Sequence, residues 1–98
     1  MIYKVRIPPQ SSRTIGALGL PRTVLVRFYN RVYDQLANRA DDFTHNRAAD
    51  QPECFVMRLV LVDQAHNAWH LFQLYVNDMR EPGVMRVEEV QHERRPII

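Results

Sequence analysis

One apolar stripe of helical period, set between regions of strand alternation, most limits what this chain can fold into. Leu25, Phe28, Val32, Leu36, Ala40 and Phe43 recur at steps of three or four, which places them along one face of a helix running from about Pro21 to Phe43. Arg27, Arg31, Asp34 and Asn38 lie across from that stripe, where Arg31 and Asp34 are one turn apart and free to pair. Such a helix needs a surface to pack on, and the remaining sequence supplies one.

Before the helix, Ile2 to Ile7 alternates Tyr3, Val5 and Ile7 against Ile2, Lys4 and Arg6, the period of a strand with one face on a core. Pro8-Pro9 stops it. A short helix through about Leu18 is expected next, with Ser11 or Ser12 as its cap, and Leu18-Gly19-Leu20-Pro21 breaks it from the long helix. The polar stretch Thr44 to Glu53 then reads as a loop.

Three strands follow in succession. Phe55 to Val62 puts Phe55, Met57, Leu59 and Leu61 on one face and Val56, Arg58, Val60 and Val62 on the other, so it is expected at the centre of a sheet. Asp63-Gln64-Ala65-His66-Asn67 has the composition of a hairpin loop. Ala68 to Asn77 places His70, Phe72, Leu74 and Val76 on one face, and Trp69, Leu71, Gln73 and Tyr75 on the other. After a turn at Glu81-Pro82-Gly83, Val84 to Gln91 forms the last strand, with a bulge expected at Glu88-Glu89 where alternation fails. The economical architecture is α+β: a small antiparallel or mixed four-stranded sheet packed against an N-terminal helical hairpin, in the order β-α-α-β-β-β. Strand one should join at an edge or beside the last strand.

Ninety-eight residues suit one domain, 1–98, with one core. The longest apolar runs, Val24 to Val26 and Leu59 to Val62, are far too short to cross a bilayer, and the first residues lack the apolar stretch of a signal peptide. A cytoplasmic protein is expected. Cys54 is the lone cysteine, so no disulfide forms within the chain. The formal charge of +2 allows a polyanionic partner without requiring one, and the arginines gather in the first and last thirds.

Leu20-Pro21 between the helices, Arg58 on a sheet strand, and Val87-Glu88-Glu89-Val90-Gln91-His92 with Arg94 and Arg95 behind it occupy places that carry a resemblance over nearly the whole chain. In this layout the chain resembles the RelE/ParE superfamily of bacterial toxins, whose members cut messenger RNA on the ribosome or inhibit DNA gyrase. The resemblance implies a toxin held inactive by an antitoxin protein, with ribosome-bound mRNA or gyrase as target. It implies no cofactor. Glu93 after His92, and Pro96-Ile97-Ile98 in place of the family's terminal tyrosine, favour a non-nuclease member; His92 and Arg58 favour a nuclease.

RNA cleavage by attack of a ribose 2′-hydroxyl needs a base, cations for the developing charge, and an acid for the leaving oxygen. His92 is the acid/base candidate because imidazole titrates near neutrality. Arg58 is the candidate for phosphate stabilisation, with Arg86 or Arg94 assisting, and Arg94, Arg95 and Arg80 are candidate nucleic-acid contacts. This route uses no metal. Each residue also has an ordinary role open to it: His92 as a surface or capping group, Arg58 as a partner of Asp63, Glu88 or Glu89. His66 and His70, four apart, would align as metal ligands on a helix, but on a strand that spacing separates them by ~13 Å. Trp69, Leu71 and Tyr75 are either core or the floor under a partner, which would be the antitoxin or a second copy in a homodimer.

Overall fold

A computed structural model describes residues 2–98. Its elements are β1 (Lys4–Arg6), α1 (Pro9–Ala17), α2 (Arg22–Arg39), a 3-10 turn (Ala40–Asp42), β2 (Cys54–Asp63), a second 3-10 turn (Gln64–His66), β3 (Ala68–Asn77) and β4 (Val84–Pro96). The order β-α-α-β-β-β is therefore the observed one. The sheet is mixed, ordered β1-β4-β3-β2, with β1 parallel to β4 and the other pairs antiparallel. Among the described residues, no helix is long and apolar enough to cross a membrane.

The core lies between the helices and one face of the sheet. Val24, Phe28, Val32 and Leu36 of α2 are fully enclosed, while Leu25 and Phe43 pack at the margin of the cluster. The buried stripe thus runs through Val24 and not Leu25. Facing it are Phe55, Met57, Leu59 and Leu61 of β2, Phe72, Leu74 and Val76 of β3, and Met85, Val87 and Val90 of β4. On the solvent side of α2, Asp34 accepts from the Asn38 amide at 3.1 Å, and Arg27 donates to the Val62 carbonyl at 2.7 Å.

Ser11 does not cap α1. Pro8 occupies the cap position and its side chain carries no acceptor, while Pro9 at the first helical position has no N–H to satisfy. The Ser11 hydroxyl is instead buried and donates to the carbonyls of Val87 at 2.8 Å and Glu88 at 3.2 Å. Those carbonyls belong to the expected bulge. Tyr75 pairs with Glu89 and Val76 with Val87, which leaves Glu88 as the extra residue on β4.

Two further expectations are corrected. β2 is an edge strand, not a central one. Its second face is apolar because Val56 and Cys54 form a small cluster with Ala48 and Tyr75, under a loop that bonds Ala48 N–H to the Cys54 carbonyl and Val56 N–H to the Asn46 carbonyl. That loop covers one end of the edge. β4 also continues past Gln91 to Pro96, so His92, Arg94 and Arg95 are strand residues and not a tail.

Candidate functional site

Residues paired across neighbouring strands share a face of the sheet, and the side chains of successive residues alternate. The row Leu59, Phe72, His92 and the row Leu61, His70, Arg94 therefore point toward the helices, as the buried Phe72 and Leu61 require. The row Arg58, Gln73, Gln91 points to the opposite, open face. His92 and Arg58, expected to act together on one phosphate, are separated by the sheet. The bulge at Glu88 is the cause. It shifts the alternation of β4 by one residue, so His92 falls in phase with Val90 on the helix side.

The open face carries a shallow groove of about 340 Å³ above Arg58, Val60, Leu71, Gln73 and Gln91. His92 and Phe72 border it through their main chain, since their rings lie on the other side. Arg58 Nε donates to Gln73 Oε1 at 3.2 Å, and the Gln73 amide donates to Tyr75 Oη at 3.0 Å and Gln91 Oε1 at 3.4 Å. Arg58 thus sits in a neutral amide row and pairs with none of Asp63, Glu88 or Glu89. Trp69 is exposed beside Val60, while Leu71 and Tyr75 are half-buried.

The other basic candidates are scattered. Arg86 bonds Glu88 at 3.4 Å and lies six residues along β4 from His92, roughly 20 Å away. Arg80 belongs to the β3–β4 turn, at the opposite end of the sheet, and its N–H is held by Asn77 Oδ1. Arg95 pairs with Glu93 Oε2 at 3.0 Å. Arg94 alone of the group shares a concavity with His92.

That concavity, about 140 Å³, is walled by the Leu18–Pro21 link, His66, His70, His92 and Arg94. Gly19 takes φ +69 in the link, a conformation that favours glycine and lets the chain turn from α1 into α2 over the pocket. The β2–β3 hairpin builds the other wall: Asn67 closes it in the left-handed region at φ 51, which asparagine tolerates. Within the hairpin, His66 Nδ1 lies 2.7 Å from Asp63 Oδ2, and Asp63 is buried. Arg94 donates to the His66 carbonyl at 3.2 Å.

At the back of the pocket His70 Nδ1 meets His92 Nε2 at 3.0 Å, with the rings nearly parallel and 5.2 Å apart. Phe72 supports the His92 ring at 4.9 Å. Burial holds the His70 pKa below its usual value, helped by Arg94. Burial does the same to His92, helped by His70 and then Arg94. Both imidazoles are accordingly neutral at pH 7. In the unfolded chain each takes up a proton below about pH 6.5, so acid favours unfolding. Stability should be fully present above that pH and fall as the pH drops through it. Urea denaturation at pH 7.5 and 5.5 checks this: the midpoint should be lower at 5.5, and His70→Leu should flatten the difference.

Cys54 is no nucleophile here, since burial pushes its thiol up to about 11. Among the described residues, no three His, Cys, Asp or Glu side chains converge as metal ligands. In the sequence His70 stands out as a polar residue on the apolar face of β3 and as a histidine four residues after His66. Its pairing with His92 depends on strand register, which alternation alone does not reveal.

No family model matches the chain, and no curated protein matches it in sequence. Among solved structures, a double arginine-to-alanine mutant of the E. coli toxin RelE in its free state aligns with TM-score 0.60, covering 92% of this chain and 82% of that one at 17% identity. The fold is that of RelE. In this RelE-like fold the helical hairpin covers one face of the mixed sheet, and the loop at residues 46–48 covers one end of the other.

Proposed function

We propose that this chain is the toxin of a toxin–antitoxin pair and that it cleaves RNA at the histidine pocket. The observation that carries the reading is the correspondence with the toxin RelE along 92% of the chain. The pocket adds the chemistry. A guanidinium at its rim suits two phosphate oxygens, and a neutral imidazole suits the proton and charge movements of transesterification. In this reading Arg94 takes the phosphate-stabilising role expected of Arg58, beside His92 in the same pocket. An antitoxin would cover the open face over Trp69, Leu71 and Tyr75.

Induced expression in bacteria tests this. The wild-type chain should arrest growth and shorten transcripts; His92→Ala with Arg94→Ala should relieve both, and Arg58→Ala should leave both unchanged. Arrest that persists without the pocket residues would overturn the nuclease reading. It would favour a second one, a toxin that acts by binding a protein such as gyrase; no arrest by the wild-type chain would favour an interaction domain that dimerises. The specific support for that alternative is the exposed pair Val60 and Trp69 on the open face, at 45% and 39% accessibility.

A further inference from the structure

We infer that the pocket presents two imidazoles of fixed and opposite polarity: His66, held by Asp63, offers a bare Nε2 as general base, and His92, held by His70, offers an Nδ1–H to a phosphate oxygen. The inference rests on the pocket being an RNA site, as proposed above, and assigns the roles within it.

The His66 half follows from the Asp63 carboxylate, which is buried and 2.7 Å from Nδ1. A carboxylate only accepts, so Nδ1 carries the proton, and in the neutral ring Nε2 keeps its lone pair. The His66 side chain is 56% exposed, so that lone pair is open to a substrate. Asp63 is thereby a positioning residue, as the carboxylate is in a nucleophile–histidine–carboxylate triad.

The His92 half follows from His70, which is 3% exposed and whose Nε2 is buried without a partner. A buried N–H without an acceptor is rarer and costlier than a buried lone pair without a donor. His70 therefore carries its proton on Nδ1 and donates to His92 Nε2 across 3.0 Å. With Nε2 occupied as an acceptor, neutral His92 has its proton on Nδ1. It acts as an uncharged electrophile beside Arg94, a role neutral imidazole fills elsewhere.

The reaction then balances within the pocket. The 2′-hydroxyl gives its proton to His66 Nε2 as its oxygen bonds to phosphorus; the bond from phosphorus to the 5′-oxygen breaks. The leaving oxygen takes a proton from water, and His66 returns its own to solvent. Arg94 and His92 Nδ1–H neutralise the charge on the non-bridging oxygens.

Long-range 1H–15N spectra of the full chain at pH 7.5 test the tautomers without any RNA. His66, His70 and His92 should all carry the proton on Nδ1, the less common tautomer of free histidine; Nε2–H at His66 or His92 overturns the inference. Asp63→Asn should abolish the His66 preference, and His70→Phe that of His92, with the other histidine unmoved in each case. Primer extension on transcripts after induction tests the roles: His66→Ala should slow cleavage at least 100-fold, and cleavage at the wild-type rate would remove His66 as base. A wild-type chain that cuts no RNA while showing these tautomers would sink the nuclease reading and the catalytic roles, leaving only the pocket's hydrogen bonding.

Discussion

Phe28→Ala is expected to destabilise the protein by about 3–5 kcal/mol, because the ring is wholly enclosed and the surrounding sheet and helices will not collapse fully onto the void. For a domain of this size that loss lowers the melting temperature by roughly 15–30 °C. Phe28 packs against Phe72 with ring centres 4.5 Å apart and meets Tyr29 edge-on at 5.6 Å. Phe72 in turn is the platform under His92, so the cavity lies one ring away from the pocket. The variant should therefore lose the preferred His92 tautomer before it loses its fold. Thermal unfolding by circular dichroism reads the first effect, and imidazole spectra well below the midpoint read the second. Phe28→Leu is the control: about 1–1.5 kcal/mol, with the tautomer retained. A loss below 1 kcal/mol for the alanine variant would mean that the helix–sheet core is not packed as described.

The parts of this fold legible in the sequence are those set by local periodicity. The stripe of α2 and the two-residue alternation of β3 identify which face of each is buried, and helix and strand order follows. Position within the sheet is less local. β2 has two apolar faces, yet it lies at an edge, because residues 46–48 and Tyr75 shield Cys54 and Val56 on the second face. β4 runs to Pro96 with its last residues exposed, so no hydrophobic alternation marks that extension. The site suffered most from the bulge. Its place was readable at Glu88-Glu89, but the phase it imposes on the following residues, and so the face taken by His92, depends on the pairing with β3 and on Ser11 reaching the Val87 and Glu88 carbonyls. One inserted residue moves a histidine through the sheet.

The same dependence on a distant contact makes Arg47→Met the second large effect. Arg47 holds Asp78 in a two-pronged ion pair, at 2.8 and 3.0 Å, and donates as well to the carbonyls of Thr44 and Pro52. The Asp78 side chain is 14% exposed, so removing the guanidinium leaves a largely buried carboxylate unpaired. With some screening by solvent, the cost should be about 2–4 kcal/mol. More follows from where the loop lies. Asn46 and Ala48 bond the outer edge of β2 at Cys54 and Val56, and by strand alternation the outward N–H and C=O groups of Arg58 and Val60 come next along that edge. Releasing the loop lengthens an open edge that already borders the exposed Val60 and Trp69. Such an edge is a template for pairing with another chain. Arg47→Met should therefore sediment as larger species with rising concentration, whereas Phe28→Leu, destabilised to a lesser degree, should not. Arg47→Met with Asp78→Leu removes both charges and should recover part of the stability, because no unpaired carboxylate remains, but it should still associate, because the loop stays untethered. Loss of the concentration-dependent association in that double variant would assign it to the stranded charge and not to the uncovered edge.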